Sequence, residues 1–399
     1  MKSWKIKKFP FSKKIVTGLF AGTMALSIGV PASHAATPEK NAYYSIHLAA
    51  KPSIAWDVFR GWTSDDAGIV LWNGSLGDNE QFVFFPLDGG AYAIVNKNSG
   101  KPVGLGGGIN FTDGVRNMSV ADNNGLGQNN WTGASTDQWY LRDKGNNNYE
   151  IVNQGNGRVA SWAGAGGTVA GYIDYVDLDE SDPSDKNRLF QISAARSTFS
   201  LPRLPAIGTR PTAPEYNPAG RVDQQLPQTS ESAVVAATLI PCIMVKDNSL
   251  SDYTKIHNSP YYVLEKEEYW EKVSSEIVPA GGTSKYTVKR GVSTVDQQKM
   301  TDTLAMNFGA DLGLKFGNQS LALKYGISKT LQTEVSKTST DATEEGRDKQ
   351  YVSAASTDTG LTVYQLVTRY TLKRTDGSAV SSSWSVRDNL QTTERTIKK

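Results

Sequence analysis

Cysteine and histidine are scarce in this chain, and their scarcity removes support from several classes of function. Of 399 residues, one is cysteine and three are histidine, so an intrachain disulfide is impossible. Zinc sites and Ser-His or Cys-His catalytic pairs have little support. Cys242 lies inside an apolar run over residues 238–245, which predicts a buried strand and favours an inert thiol over a nucleophile. We predict no metal site and no cofactor.

Clustered positive charge is missing from most of the chain. The 42 basic and 40 acidic residues suggest a mildly basic protein, but six lysines lie in the first 35 residues, which contain no acidic residue. The remainder has 36 basic and 40 acidic residues. A nucleic-acid surface needs clustered positive charge, so we expect no nucleic-acid partner.

One long apolar run lies near the N-terminus. A lysine-rich start precedes apolar residues 15–30, and residues 33–35 (Ser-His-Ala) place small residues at positions −3 and −1 of a cleavage site. This order is typical of a secretory signal peptide over residues 1–35. An N-terminal membrane anchor is the alternative, but the run is shorter than the ~20 residues of a spanning helix. We therefore expect a secreted, extracellular protein whose mature chain starts at Ala36.

Residues 43–195 contain a threefold repeat. The segment that begins at Tyr92 (Tyr-Ala-Ile-Val-Asn) matches the one at Tyr149 (Tyr-Glu-Ile-Val-Asn), and a weaker copy begins at Tyr44. The copies end 38, 47 and 41 residues later on an aromatic residue: Phe82, Trp139 and Phe190. Alternating apolar residues between Gly and Asn turns indicate strands. Three such units that bury their core only by joining one another predict a β-trefoil.

These repeats resemble the ricin-B type lectin trefoil, whose repeats close on Gln-x-Trp. The Gln positions hold Glu80, Asp137 and Arg188 in this chain, and Trp survives only as Trp139. In that family the closing aromatic is a core residue, so we expect a core role for all three.

The resemblance implies a carbohydrate-binding site in the first repeat. Asp57 matches the aspartate that receives sugar hydroxyls, and Trp72 matches the aromatic residue on which the sugar stacks. Asn79 and Glu80 match the polar pair that completes the hydroxyl network. A sugar has an apolar C–H face and a hydroxyl edge, so it needs an aromatic plate beside fixed donors and acceptors. The alternative is that Trp72 is a core or rim aromatic and Asp57 a turn residue.

The other two repeats match the pattern less well. The second has glycines at residues 104–108 where the aspartate should lie, so we expect no site there. The third offers four candidate residues in a longer loop: Trp162, Tyr172, Asp174 and Asn187. Residues 155–160 also fit the dinucleotide pattern G-x-G-x-x-A, but no amphipathic helix follows, and the repeat explains these glycines as turns.

The composition changes after the repeats. Five prolines in residues 201–218 predict an extended linker, which we assign to residues 196–220. Beyond it, segments such as residues 361–372 predict long strands. Glu265, Glu267, Glu268 and the Glu344-Glu345 pair are the dense carboxylate clusters. An acid and base could lie among them, although solvated strand edges are favoured.

Residues 304–331 have the pattern of a β-hairpin with one apolar face. Polar or small residues separate the apolar ones, and residues 317–320 predict the turn. Each arm is long enough to cross a bilayer as a tilted strand of about 9–11 residues. A lone hairpin would leave unpaired edges in lipid, so several chains would have to close a barrel. A half-buried hairpin of a soluble sandwich alternates in the same way. The membrane-facing candidates are Leu304, Met306, Phe308, Leu312, Leu314, Phe316, Leu321, Leu323, Tyr325 and Ile327.

Two longer motifs are similar to a signature of the Bin-like (Tpp) insecticidal toxins of spore-forming bacteria. They are residues 239–247 (Leu-Ile-Pro-Cys-Ile-Met-Val-Lys-Asp) and 259–270 (Ser-Pro-Tyr-Tyr-Val-Leu-Glu-Lys-Glu-Glu-Tyr-Trp). The resemblance implies an all-β fold, with a β-trefoil at 43–195 followed by an elongated aerolysin-type pore-forming domain at 221–399. It also implies action on insect gut cells and, in many members, a second toxin component. The secretory signal is a departure, since several relatives are stored as intracellular crystals.

We therefore predict a secreted, non-enzymatic insecticidal toxin that forms β-barrel pores. Its partners would be cell-surface glycans or a glycoprotein or glycolipid receptor, the target membrane, further copies of the same chain and possibly a second component. Two alternatives remain. One is a plain lectin or adhesin, which would agglutinate cells without leakage. The other is a secreted glycosidase with a carbohydrate-binding trefoil, which needs two carboxylates ~5–9.5 Å apart in a cleft.

Overall fold

Strand pairing dominates the structure, a computed structural model that describes residues 37–73, 76–105, 109–110, 119–120, 125–163, 174–193, 196–304, 314–316, 319–321 and 345–398. The first sixteen strands are β1 Ala42–Tyr44, β2 Ile46–Leu48, β3 Ala55–Val58, β4 Ala67–Trp72, β5 Phe82–Pro86, β6 Tyr92–Asn96, β7 Val103–Leu105, β8 Ile109–Asn110, β9 Ser119–Val120, β10 Leu126–Gln128, β11 Trp139–Asp143, β12 Asn148–Asn153, β13 Val159–Ala163, β14 Tyr175–Asp179, β15 Phe190–Ile192 and β16 Ser197–Thr198. Short 3₁₀ helices lie between them at Phe59–Gly61, Asp78–Glu80, Asp88–Gly90, Ser135–Asp137 and Lys186–Arg188.

The three repeats are built in the same way. Each places its opening tyrosine opposite its closing aromatic, in the pairs Tyr44–Phe82, Tyr92–Trp139 and Tyr149–Phe190. All three closing aromatics are fully buried. Trp56 meets Phe82 and Phe190 edge to face, with ring centroids 6.1 and 5.5 Å apart, a favourable aromatic geometry. The predicted trefoil and the core role of its closing aromatics are both confirmed.

The glycines that fit the dinucleotide pattern form a hairpin turn. Strand β12 ends at Asn153, β13 begins at Val159, and Val152 pairs with Val159. Gly157 has φ of +74°, which glycine adopts without steric cost. A strand follows this turn where a nucleotide site needs a helix, as the repeat predicted.

Long strands make up the C-terminal half. They are β17 Ala233–Pro241, β18 Tyr261–Val278, β19 Thr283–Arg290, β20 Leu314–Phe316, β21 Gln319–Leu321, β22 Glu345–Val352, β23 Thr359–Lys373 and β24 Trp384–Lys398, with helices α1 Asp252–Asn258 and α2 Thr294–Thr303 and a 3₁₀ turn at Cys242–Met244. An antiparallel sheet has the order β17-β18-β23-β24, and β19 pairs with β22. The predicted strand over residues 361–372 and the all-β class are confirmed. None of the helices described has the length and apolarity to cross a membrane.

The apolar run around Cys242 is only partly a strand. Strand β17 ends at Pro241, and residues Cys242–Met244 form the 3₁₀ turn. Because proline has no N–H, it cannot extend a ladder of hydrogen bonds. Cys242 is 1% exposed, and burial raises the pKa of its thiol to about 12. The strand prediction was therefore wrong beyond residue 241, while the buried, inert thiol is confirmed.

The proline-rich segment lies along the four-stranded sheet. Residues 201–228 have no helix or strand, yet several of their backbone groups bond to the sheet. Gly208 N–H donates to the Val234 carbonyl at 2.8 Å. Trp270 Nε1 donates to the Pro211 carbonyl at 2.8 Å, and the Tyr364 hydroxyl to the Pro227 carbonyl at 2.6 Å. This connector is extended, as predicted, but it is also packed.

The glutamates of β18 were expected to lie on a solvated strand edge, but β18 is not an edge strand. Strand β18 lies between β17 and β23, and Glu268 is 1% exposed. Arg210 and Lys266 lie 2.6 and 3.1 Å from its carboxylate. Charged residues buried in this way need paired partners, so a structural ion-pair network explains this carboxylate.

The trefoil and the C-terminal sheet share a hydrophobic core. Val83, Phe85 and Val95 of the trefoil lie in one buried cluster with apolar residues of the C-terminal half, among them Met244 and Tyr261. The Phe85 and Tyr261 rings meet edge to face, with centroids 5.0 Å apart. Because the cluster is continuous, the two regions are fixed to one another.

Candidate carbohydrate-binding site

The candidate site of the first repeat is built on the β3–β4 hairpin. Asp57 lies in β3 opposite Val70 of β4, and Trp72 lies two residues beyond Val70. Side chains alternate faces along a strand, so Asp57 and Trp72 share a face. Diagonal neighbours of this kind lie about 7–8 Å apart, which leaves room for part of a sugar ring.

Asn79 fixes the aspartate from the 3₁₀ helix Asp78–Glu80. Its Nδ2 donates to Asp57 Oδ2 at 2.8 Å. The neighbouring turn supports it, because Asn98 Nδ2 donates to the Gly61 carbonyl at 2.8 Å. Gly61 has φ of +66°, and a Cβ at that position would lie 3.8 Å from the Asn79 side chain. Asn79 is therefore held between Asp57 and the turn.

Glu80 places a second carboxyl group against Asp57. Its Oε2 accepts from Gly77 N–H at 2.9 Å. Its Oε1 is buried and has no hydrogen-bond donor among the residues that the structure describes. Burial raises the pKa of Asp57 to about 7, and the charge of Glu80 also raises it, while the bond from Asn79 lowers it. Asp57 and Glu80 are 6% and 2% exposed.

Trp72 supplies an open aromatic surface beside these polar groups. Its side chain is 55% exposed, so it is not a core residue, and Asp57 lies in a strand rather than a turn. The arrangement combines an indole, a carboxylate acceptor and an amide. That combination matches the apolar face and hydroxyl edge of a sugar.

The second repeat differs at the equivalent place. A Cβ on Gly104 would lie 2.7 Å from Asp137 Oδ1, so the residue must be glycine while Asp137 keeps its place. Asp137 Oδ2 accepts from the Thr132 hydroxyl at 2.5 Å and from its N–H at 3.2 Å. The Asp137 carboxylate is therefore engaged within the repeat, and the absence of a sugar site there stays a prediction.

The third repeat does not reproduce the first. Ser161 lies opposite Asp177, as Asp57 lies opposite Val70, and Asp179 occupies the position equivalent to Trp72. Asp179 pairs with Arg188 at 2.7 Å. Trp162 is 39% exposed, but it follows Ser161 on the strand and so points to the other face.

The remaining third-repeat candidates add little. Asn187 N–H donates to Asp185 Oδ1 at 2.9 Å. Tyr172 lies outside the described residues. A third-repeat sugar site stays a prediction without a geometric counterpart of Asp57 and Trp72.

One further arrangement resembles a catalytic pair, and its burial decides against that role. Ser45 Oγ lies 2.7 Å from His47 Nε2. Ser45 is fully buried, so no substrate reaches its hydroxyl. Among the described residues, no group of three or more His, Cys, Asp or Glu side chains is arranged to hold a metal ion.

The hairpin candidates are described only in part. Strands β20 and β21 pair antiparallel, with Leu314 opposite Leu321 and Phe316 opposite Gln319. Strand β21 begins at Gln319, within the predicted turn over residues 317–320. Leu304 is 1% exposed in the shared core. Six candidates lie outside the described residues: Met306, Phe308, Leu312, Leu323, Tyr325 and Ile327.

Sequence reasoning did not identify the contact between the Asp57 and Glu80 carboxyl groups or the support that Asn98 gives to the Gly61 turn. A glutamate in place of the glutamine of Gln-x-Trp was the available signal for the first. The bond from Asn98 to Gly61 joins loops 37 residues apart, so no local sequence pattern indicates it.

Two family models match this chain. Residues 233–398 match the Insecticidal Crystal Toxin, P42 family, and residues 78–172 match the ricin-type beta-trefoil lectin domain-like family. The binary larvicide subunit BinA of Lysinibacillus sphaericus is 33% identical over 199 residues, 49% of this chain and 53% of the relative. Subunit BinB of the same organism is 34% identical over 184 residues, 46% of this chain and 41% of the relative. The chain thus spans about half the length of these curated relatives.

A third relative matches over a longer span. The insecticidal crystal protein Cry35Ab1 of Bacillus thuringiensis is 27% identical over 287 residues, 68% of each chain. The crystal structure of Cry35Ab1 superposes over 90% of each chain with a TM-score of 0.67 and 18% identity, which shows a common fold. The families matched are toxins and a lectin-like module, in agreement with the prediction that the chain is not an enzyme. Residues 233–398 therefore belong to the Bin-like insecticidal toxin family, and the N-terminal half has a ricin-type trefoil.

Proposed function

We propose that this protein is a secreted insecticidal toxin that binds cell-surface glycans through its first trefoil repeat, oligomerises and inserts a hairpin into the target membrane. The single observation that carries glycan binding is the exposed Trp72 beside the Asp57–Asn79 pair. Two of its relatives are named as subunits of a binary larvicide and a third as an insecticidal crystal protein. These names support a role as a toxin.

The proposed organisation has four parts. They are a signal peptide at 1–35, a trefoil at 43–195, a linker at 196–220 and a pore-forming domain at 221–399. The trefoil would concentrate monomers on glycosylated membranes. Its shared core with the C-terminal half would hold that half in a fixed orientation over the bilayer.

The hairpin over residues 304–331 is the proposed membrane-inserting segment. Its alternating pattern matches strands that face lipid on one side and water on the other. The pairing of β20 with β21 supports a hairpin at its centre. Leu304 packs in the shared core, so it would have to leave that core if it inserts. Several chains would contribute one hairpin each, because lipid does not tolerate an open sheet edge.

The proposed partners are glycans or a glycosylated receptor, further copies of the chain and the target membrane. A second toxin component is also proposed, because BinA and BinB are named as subunits of a binary larvicide. The sequence features that support secretion are the lysine-rich start and the apolar run that follows it.

A plain lectin is the second candidate, since the first-repeat geometry stands without the hairpin. The glycosidase alternative is not supported. The Asp57 and Glu80 carboxyl groups are in hydrogen-bonding contact, closer than the ~5–9.5 Å of a glycosidase pair. Glu265, Glu267 and Glu268 lie in ion pairs with Lys373, Arg369 and Arg210.

Glycan-array binding and liposome leakage, measured on the same preparation, separate these functions. A toxin of the proposed kind binds glycans and releases dye from glycolipid-containing liposomes or insect midgut cells. A plain lectin binds glycans and agglutinates cells without leakage. Absence of glycan binding in both wild type and its trypsin-treated form would contradict the trefoil's proposed role.

A further inference from the structure

We propose that Asp57 and Glu80 share one proton and that loss of this proton switches the carbohydrate site on. The switch rests on the proposed glycan-binding function, whereas the shared proton rests on the burial of the two carboxyl groups and on the unpartnered Glu80 Oε1. The consequence is a toxin head that binds its glycan in neutral to alkaline surroundings and releases it in acid.

The first step of the argument is the supply of hydrogen-bond donors. Asn79 Nδ2 donates a hydrogen bond to Asp57 Oδ2, and Gly77 N–H donates one to Glu80 Oε2. Glu80 Oε1 is buried with no donor in the described part of the chain. A buried acceptor without a partner is costly, and more so when it is charged. One proton held between the two carboxyl groups supplies the missing donor.

The second step is the charge around the pair. Two buried carboxylates in contact repel each other, so only one ionises readily. Lys97 Nζ and His257 Nε2 lie 2.9 and 3.3 Å from the Asp78 carboxylate. Within the described part of the chain, Asp57 and Glu80 form no salt bridge with a basic side chain.

His47 is the other titratable group that acts on the pair. It lies on β2, and its charge interacts with Glu80 and with Arg196. Its ring nitrogens are used elsewhere, Nδ1 with the Pro52 carbonyl at 2.9 Å and Nε2 with Ser45 Oγ at 2.7 Å. Burial lowers the pKa of His47, which keeps the ring neutral at the pH where the pair would lose its proton.

The third step links the proton to the sugar. An ionised carboxylate only accepts, and it can receive two sugar hydroxyls in charge-assisted hydrogen bonds. When Asp57 carries the proton, it donates to Glu80 and loses that charge. Burial and the neighbouring glutamate raise the pKa of Asp57 to about 7, so the change falls in the physiological range. Release of the proton to solvent is the only chemical step.

Glu80→Gln is the informative variant, because it restores an amide beside Asp57. The amide donates a hydrogen bond and removes a negative charge, so the pKa of Asp57 should fall, while burial, the larger cause of the raised pKa, stays in place. Asp57→Asn removes the titrating carboxyl group. The NMR signal that this variant lacks is therefore the signal of Asp57. Neither variant changes the size of the side chain appreciably.

The shared proton is tested without any ligand, by NMR titration of the intact protein labelled with ¹³C at aspartate side-chain carboxyls. The signal absent from Asp57→Asn should titrate near pH 7 in the wild type and at a lower pH in Glu80→Gln. A wild-type midpoint below pH 5, or an unchanged midpoint in Glu80→Gln, would overturn the proposal.

The switch is tested with immobilised asialofetuin, a glycoprotein with terminal galactose, and with a glycan array at the same pH values. Wild-type binding should be up to about 30-fold weaker at pH 5.5 than at pH 8.5, as the ionised fraction of a group with a pKa of about 7 dictates. In Glu80→Gln the midpoint of the pH dependence of binding should move to lower pH together with the carboxyl titration. Equal wild-type binding at both pH values would overturn the switch. A normal carboxyl titration with no glycan bound at either pH would instead overturn the glycan-binding function, and the switch with it.

Discussion

The hydroxyl of Tyr43 donates a 2.7 Å hydrogen bond to the carbonyl of Ile256, which joins the first strand of the trefoil to helix α1 of the C-terminal half. The two residues are 213 positions apart in the chain, and the bond is buried. It lies beside the apolar cluster that both regions share. The trefoil is therefore rigidly connected to the sheet that follows it.

Replacing Tyr43 by phenylalanine removes this bond and leaves a buried carbonyl without its donor. We expect a loss of about 1–2 kcal/mol in the free energy of unfolding, measured by urea titration. Tyr253→Phe is the matched control, because the Tyr253 side chain is 51% exposed and its hydroxyl can bond to water. Equal stability of the two variants would show that the bond contributes nothing.

The shared core predicts that the trefoil and the sheet unfold together. Phe85→Ala removes a fully buried ring and should cost about 3–5 kcal/mol. Calorimetry should show one transition that moves to lower temperature as a whole. Ile207→Ala, at a 55% exposed position, should leave the transition in place. Two separate transitions, with only one shifted by Phe85→Ala, would contradict the shared core.

Trp72→Ala should weaken glycan binding at least about ten-fold, since it removes the aromatic plate and its apolar contact area. Surface plasmon resonance on the best ligands of a glycan array gives the affinity. Trp162→Ala is the control in the third repeat, and it should bind as the wild type does. Loss of binding in Trp162→Ala instead would move the site to that repeat.

Asp247 makes stability depend on pH. Burial alone would raise the pKa of this carboxyl, but two hydrogen bonds from Arg374, at 2.6 and 2.9 Å, hold it well below the usual range. A lowered pKa adds stability that is present above the unfolded pKa of about 3.9 and is lost as the pH falls through the folded pKa.

Asp247→Asn should therefore destabilise the protein most between pH 5 and 8, by about 3 kcal/mol. Its difference from the wild type should shrink as the pH falls below about 4. Asp223→Asn, in an exposed pair with Arg221, should leave the unfolding midpoint unchanged at every pH. A constant Asp247→Asn difference from pH 3 to pH 8 would exclude the charge of Asp247 as the cause.

The trefoil was predictable because its signal is periodic and local. The recurring tyrosines and closing aromatics define the three repeats, and the structure adds that Tyr149 lies opposite Phe190. Asp57 and Trp72 were identified through the resemblance to the ricin-B lectins, and the structure places them on adjacent strands of one hairpin.

Long-range contacts left no such pattern. Pro241, which has no N–H, ends the strand that the apolar run over residues 238–245 predicted to continue; this signal is local and lies within the run itself. Glu268 looked solvated from its acidic neighbours, but Arg210 in the packed connector neutralises it. The contact between Tyr43 and Ile256 depends on how two folded regions meet, which periodicity within either region does not encode.

Dye leakage from liposomes and insect midgut cells tests the central claim most directly, with mature protein used before and after trypsin. We expect wild type to release dye and Phe308→Asp to abolish release while cell binding is kept, because a charge would face lipid. Asn307→Asp, at a polar position of the alternating sequence pattern, should still permeabilise. Full leakage by Phe308→Asp would contradict the insertion of this hairpin, and the absence of leakage from wild type, alone or with a second component, would contradict pore formation itself.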